Sequence, residues 1–215
     1  MSSIPPKEYD PEDPRVELIY GNIEGQYIQT FLVGGRLGKG SFGSVYEAFD
    51  VRSQTGYVIK ISKDFTIMGK EIQAMKAFHS ANPKDGENVP KVIAYGMFNN
   101  VIEGHKNLYS FYVMPRFGKD IDSYFTEQDK KFSLSTIVRL GIKMIDILEM
   151  VHKSGYIYGD LKLDNILAGF EDILPDEASG NAFSNVSLNL IDFGFATKYI
   201  DQSGNHLPET HNELF

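Results

Sequence analysis

Gly38, Gly40 and Gly43, in the stretch LGKGSFGSV at 37–45, constrain this chain more than any other feature. They follow one strand-like run, YIQTFLVGGRLGKG (27–40), and precede another, SVYEAFD (44–50). Both runs are β-branched or aromatic and punctuated by glycine, so the stretch reads as the turn of an antiparallel hairpin. Dinucleotide folds use a similar glycine spacing, but there the glycines join a strand to a helix. Glycine lacks a Cβ, so the backbone N–H groups of Gly38, Lys39, Gly40, Ser41, Phe42 and Gly43 can close over phosphate oxygens. A ligand-free glycine turn satisfies the same pattern.

The rest of the chain extends the hairpin into a layered plan. GYVIKISK (56–63) is a third strand, carrying Val58 and ending its apolar run at Lys60. MGKEIQAMKAFH (68–79) reads as a helix with Ile72, Met75 and Phe78 along one side, and VPKVIAYGMF (89–98) and LYSFYVM (108–114) resume the strand pattern. Beyond Pro115 the period changes. Ser135 is placed to cap a helix with Ile137, Leu140, Met144, Leu148 and Val151 on its buried side and Gly155 as its stop. SLNLID (187–192) is a last strand. The expected fold is α+β and two-lobed, with a cleft between the lobes. An antiparallel β lobe with one helix covers 27–117, and a mainly helical, incomplete lobe covers 118–215. Residues 1–26 carry four of the nine prolines and six acids against two bases, and read as a flexible acidic arm. The polar stretch 171–185 reads as a solvent-exposed hairpin extension.

Composition narrows the partners. Apolar residues make up 42 % of the chain, enough for a real core. A net charge of −8 with no dense Lys/Arg run argues against duplex nucleic acid, though not against a small anion such as a nucleotide. With no cysteine there is neither a disulfide framework nor a thiolate metal site. No apolar run is long enough to span a membrane, and MSSIPPKEYDPEDP resembles neither a secretory nor a myristoylation signal. The expected location is therefore cytoplasmic or nuclear. On the same ground the sequon Asn185-Val186-Ser187 reads as unused. His206 and His211, in a tail without periodicity, read as solvated.

The polar residues fall into a chemical order. Lys60 lies fifteen residues after Val45, placed to neutralise phosphate oxygens, and Glu71, eleven residues further on, is placed to pair with it. In YIYGDLKLDNIL (156–167), Asp160, Lys162 and Asn165 form D-x-K-x-x-N. Asp160 can accept or orient the proton of an attacking hydroxyl, and Lys162 can offset charge on a transferred phosphoryl group. Asn165 can offer an oxygen to Mg²⁺. Asp192, in LIDFG at the end of an apolar strand, is a second hard oxygen ligand. Singly, each reads as a turn Asp, a capping Asn or a surface charge. Five such features in this order, on these element types, are not explained by chance.

On these motifs, residues from about 28 to 200 resemble a eukaryotic protein kinase. Lys162 resembles the serine/threonine class. VMPRFGKDIDSYF and YGDLKLDNIL look most like the casein kinase 1 group and its vaccinia-related relatives. The resemblance implies ATP and Mg²⁺ as cofactors and a protein Ser or Thr hydroxyl as substrate. It makes Met114 the gatekeeper and 115–117 the adenine hinge, with the Pro115 carbonyl and the Phe117 N–H facing the base. Leu37, Val45, Val58 and Leu167 then line the nucleotide pocket. Two departures stand out. Tyr158-Gly159 replaces the usual His-Arg before Asp160, with tyrosine read as a packing substitute. Glycine there implies that phosphorylating Thr197, Ser203 or Thr210 is not an on-switch. Asn165 and Asp192 are also 27 residues apart, more than the family usually shows. The chain reads as truncated within the activation segment, which would leave the apolar face of 135–151 short of cover and in need of a partner. Two other readings remain open. One is a catalytically inactive ATP-binding module or pseudokinase fragment. The other is a small-molecule phosphotransferase, since YGDLKLDNIL also resembles the loop of aminoglycoside and choline kinases. Lys162 and the full glycine loop argue against the latter.

Overall fold

The structure, a computed structural model, describes residues 22–23, 26–27, 31–40, 42–84, 86–102, 105–169, 186–201 and 203–208. The expected arm up to residue 21, Ser41, the 171–185 extension, Thr210 and His211 lie outside the described residues. A short hairpin, β1 (Asn22–Ile23) and β2 (Gln26–Tyr27), precedes a five-stranded sheet. The sheet comprises β3 (Phe31–Gly40), β4 (Gly43–Asp50), β5 (Thr55–Ser62), β6 (Ala94–Ile102) and β7 (His105–Pro115). Their order is β3-β4-β5-β7-β6, antiparallel throughout. Side chains alternate between its faces. Ile59, Phe111 and Val113 join Phe31, Val33, Ala48 and Phe98 on one face, while Val58, Tyr112 and Met114 join the main core on the other.

Helix α1 (Phe65–Ala81) packs on that second face, burying Met68, Glu71, Ile72, Met75 and Phe78. It starts three residues before the expected Met68. The Asp64 carboxylate accepts from the Ile67 N–H (2.9 Å), satisfying a first-turn donor that would otherwise go unpaired. A second helix, α2 (Ile121–Glu127), was not anticipated. Asp120 caps it through the Ser123 N–H at 2.7 Å.

The long helix α3 (Leu134–Lys153) is capped by Ser133, whose hydroxyl accepts from the Thr136 N–H (3.2 Å), and not by Ser135. Its buried line runs through Thr136, Leu140, Met144, Ile147 and Val151. The expected Ile137 is 54 % exposed, and Leu148 is only partly buried. The line stepped back by four residues from Leu140 reaches Thr136, whose hydroxyl accepts from the Ser133 hydroxyl and so is not stranded in the core. Leu134, Ile137, Val138, Ile142 and Ile145 form an exposed apolar face on α3. Beside it lies a cavity of about 810 Å³ lined by Phe125, Phe132, Met144 and Leu161. No helix among the described residues is long and apolar enough to cross a membrane.

Four short strands complete the second half: β8 (Tyr156–Ile157), β9 (Ile166–Ala168), β10 (Leu188–Leu190) and β11 (Thr197–Lys198). β9 pairs with β10 and β8 with β11, both antiparallel. The core is continuous from α1 to α3 through Tyr158, Leu188, Leu190 and Phe193.

The burial line of α3 predicts unequal costs. Ile147→Ala should lower unfolding free energy by about 2–5 kcal/mol, and Ile137→Ala by no more than about 0.5. Urea midpoints of the two variants would check it. Equal losses would mean that the buried line is wrong.

Candidate active site

Three elements meet at Lys60. Its ammonium contacts both Glu71 carboxylate oxygens at 2.9 Å and Asp192 Oδ1 at 3.0 Å. Lys60 comes from β5, Glu71 from α1, and Asp192 from the segment after β10. Burial pulls the Lys60 pKa down, but the Glu71 and Asp192 carboxylates outweigh it and the net direction is up, so the ammonium stays charged. Burial pushes the Glu71 carboxyl up, with Lys60 opposing that shift. Glu71 is fully buried, and its Oε1 also accepts from the Tyr112 hydroxyl (2.8 Å) and the Phe193 N–H (3.2 Å).

The D-x-K-x-x-N residues lie together on the loop between β8 and β9. Asn165 Nδ2 donates to the Asp160 backbone oxygen (3.0 Å) and to Asp160 Oδ2 (2.9 Å). Lys162 pairs with the same Oδ2 at 3.0 Å, and that hydrogen bond is the main cause that raises its pKa. With both partners on Oδ2, Asp160 Oδ1 is left to accept a proton. With its nitrogen committed to Asp160, Asn165 has its side-chain oxygen left for a cation. Asn165 stands immediately before β9, and the Leu190↔Ile166 register sets Ile191 opposite it, with the Ile191 N–H bonded to the Asn165 carbonyl (3.0 Å). The 27-residue separation is therefore closed by one hairpin ladder. Asp192 adopts the left-handed backbone (φ 57°), and its Oδ1 also accepts from the Gly194 N–H. Aspartate tolerates that conformation better than most residues.

The glycine turn reaches the segment after Asp192 through Phe42. Gly43 pairs with Gly40 across the β3–β4 hairpin, and a Cβ at Gly43 would collide with the Ile61 carbonyl oxygen. Gly38 and Gly40 differ, since a Cβ on either would meet nothing within 4 Å. Leu37, Lys39 and both glycines are exposed, and Phe42 at the tip rests edge-on against Phe195, with ring centroids 4.8 Å apart. Beneath the sheet, Val58 pairs with Met114, both are buried, and Val45 packs against the same cluster. The segment after β7 is tied to β9: the Gly118 N–H donates to the Ala168 carbonyl (2.9 Å), and Asp120 bridges to Leu167. Pro115 and Phe117 both border a separate cavity shared with His79, Pro83 and Val89.

Sequence reading missed two hydroxyls. Tyr158 packs on Phe193, as a histidine substitute would (centroids 5.1 Å), but it also donates to the Ile191 carbonyl. Tyr112 stands within the strand-like run 108–114, a pattern that assigns it no polar role. The signal was available, because a buried phenol needs a hydrogen-bond partner. Gly159, between Tyr158 and Asp160, has φ +84°, and a Cβ there would stand 2.8 Å from the Phe195 carbonyl oxygen.

The family model described as "Protein kinase domain" matches residues 31–212. Among curated relatives, "Serine/threonine-protein kinase VRK2" of Homo sapiens is 28 % identical over 87 % of this chain and 35 % of its own length. "Nucleosomal histone kinase 1" of Drosophila melanogaster is 27 % identical over 78 % of this chain and 28 % of its own length. "B1 kinase" of Vaccinia virus (strain Western Reserve) is 26 % identical over 89 % of this chain and 59 % of its own length. The chain thus spans between about a quarter and three fifths of these relatives. The matched segment contains the glycine turn, Lys60, Glu71, the D-x-K-x-x-N loop and Asp192, and the chain belongs to the protein kinase domain family.

Proposed function

We propose that this chain carries the nucleotide site and catalytic loop of a serine/threonine protein kinase of the casein kinase 1 and vaccinia-related type. The observation that carries the reading is the convergence of Lys60, Glu71 and Asp192 from three elements, within contact distance of one another. Lys60 holds the α- and β-phosphates of ATP, and the hinge at 115–117 takes the adenine. A substrate Ser or Thr oxygen forms a bond to the γ-phosphorus while the bond to the β-bridging oxygen breaks. The hydroxyl proton passes to Asp160, ADP leaves, and Lys162 offsets the charge on the transferred group.

The donor set fits Mg²⁺. Asn165 and Asp192 offer hard oxygens, and no group of three or more His, Cys, Asp or Glu gathers among the described residues. An ion held by two protein ligands keeps room for phosphate oxygens and water, as Mg²⁺ prefers. When bound, it neutralises phosphate charge.

A second reading is favoured by one observation, the exposed apolar face of α3. Under that reading the chain binds Mg-ATP but transfers nothing unless another protein surface covers α3.

The two readings separate on Asp160→Asn. Turnover on a peptide substrate should fall about a hundredfold or more, with the ATP dissociation constant within about twofold of the parent. Unchanged turnover would remove Asp160 as the base. An inactive parent that still binds Mg-ATP would favour the second reading.

Regulation follows from Gly159. A family arginine at that place would pair with a phosphorylated segment, and glycine offers no such cation. Phosphate placed on Thr197 or Ser203, both exposed, should leave activity within about twofold. A large gain in a kinase assay would overturn this. Gly159→Ala should destabilise the chain by about 1–2 kcal/mol through its left-handed backbone, read as a lower unfolding midpoint.

A further inference from the structure

We propose that Tyr112 is a positioning residue for phosphoryl transfer: its hydroxyl fixes the Glu71 carboxylate that orients Lys60 and anchors the backbone of Phe193. The inference rests on the kinase reading above for its catalytic consequence, but its geometry stands apart from that reading. Tyr112 lies on β7 directly across from Lys60 on β5, so both side chains leave the same face of the sheet. The ring is 1 % exposed and belongs to the main core, so its packing and the strand register decide where the hydroxyl stands. The hydroxyl donates to Glu71 Oε1 at 2.8 Å. That oxygen is the busiest acceptor in the site, taking bonds from Lys60, Tyr112 and the Phe193 N–H, while Oε2 takes Lys60 alone.

The arrangement turns a movable element into a fixed one. Glu71 rides on α1, which meets the sheet through apolar contacts, indifferent to small sliding, and through the Lys60 ammonium at the end of a long side chain. A directed O–H bond to a buried carboxylate is not indifferent, because such bonds are short and strongly oriented. Tyr112 therefore ties α1 to the sheet at the one point that sets Lys60. Through the same oxygen it ties both to Phe193, beside Asp192. A phenylalanine would fill the same space and leave Glu71 Oε1 with two donors in place of three.

The groups facing Glu71 are Lys60 from β5, Tyr112 from β7, Asp192 after β10 and Tyr158 after β8. The phenol donates to the carboxylate and so favours its charged form. Removing it makes Glu71 easier to protonate, and protonation loosens its hold on Lys60. The acid limb of nucleotide use then moves to higher pH.

The test compares the full chain with Tyr112→Phe, measuring ATP kinetics, Mg-ATP affinity from pH 5 to 8 and thermal midpoint. We expect kcat/KM for ATP to fall about tenfold, the loss of one bond to a charged group, with KM for the peptide unchanged. The acid limb should move up, and the fall in thermal midpoint from losing the buried bond should accompany it. In a Glu71→Gln background, Tyr112→Phe should add nothing. Unchanged ATP kinetics and acid limb would overturn the proposal. So would a lowered midpoint without a pH shift, or a full effect persisting without the Glu71 carboxylate. If Tyr112→Phe does not fold, Tyr112→Met, of similar volume, carries the same comparison. If the parent transfers no phosphoryl group, the kinase reading fails on its own, and the pH dependence of Mg-ATP affinity still decides the role of Tyr112.

Discussion

The contact of Lys60 with Glu71 and Asp192 is the constraint on which the rest of the arrangement depends. An ammonium and a carboxylate have been taken out of water together, and each is tolerable there only because the other is within 2.9 Å. The buried pair adds little net stability, since desolvation offsets most of the attraction. Its consequence is geometric. Any motion that separates β5, α1 or the segment after β10 leaves a buried charge uncompensated, which costs several kcal/mol. Two neighbouring elements and a third segment 132 residues beyond Lys60 are thus held to one arrangement by a penalty for leaving it. The hydrophobic core beneath them, which has no direction, could not impose that.

Antiparallel ladders do the same work in the second half of the chain. β9 and β10 are only three residues each, yet their register places Asn165 and Asp192 at the same end of one hairpin. The residues between them can vary in number without disturbing that end, because closing a longer loop costs little more than closing a short one. β8 and β11 hold the chain after Gly194 against the D-x-K-x-x-N loop in the same manner. That is why Gly159 meets the Phe195 carbonyl at such close range.

The sequence made the plan of the fold legible, along with most of the polar residues of the site. Period-two strands around glycine and a period-3.6 run after Pro115 differ enough to be told apart without coordinates. Motif spacing then gave Lys60, Glu71, Asp160, Asn165 and Asp192 an order. What escaped depends on three-dimensional choices between near-equal local options. Ser133 and Ser135 are both competent caps, and the choice between them follows from which face of α3 meets the core. Ile137 has the right spacing for that face but misses it, while Thr136, a polar residue, takes the place because Ser133 satisfies its hydroxyl. For Tyr112 the sequence signals the need for a partner but not which partner. A strand pattern tells which face a side chain leaves from, and says nothing of what a buried phenol will find there.

The glycines show most clearly where sequence stops and structure begins. In the stretch at 37–45 the three are identical letters in one motif. Gly43 is required by the protein itself, because the Ile61 carbonyl occupies the place of its side chain. Gly38 and Gly40 are not, since a Cβ on either would project into open space. Glycine in a strand costs conformational entropy, about 0.5–1 kcal/mol against alanine, and neither position recovers it by packing. Their bare backbone is of use only to something that approaches from outside the chain. An anion drawn to N–H groups has that requirement, and the strand that leaves the turn pairs Val45 with Lys60.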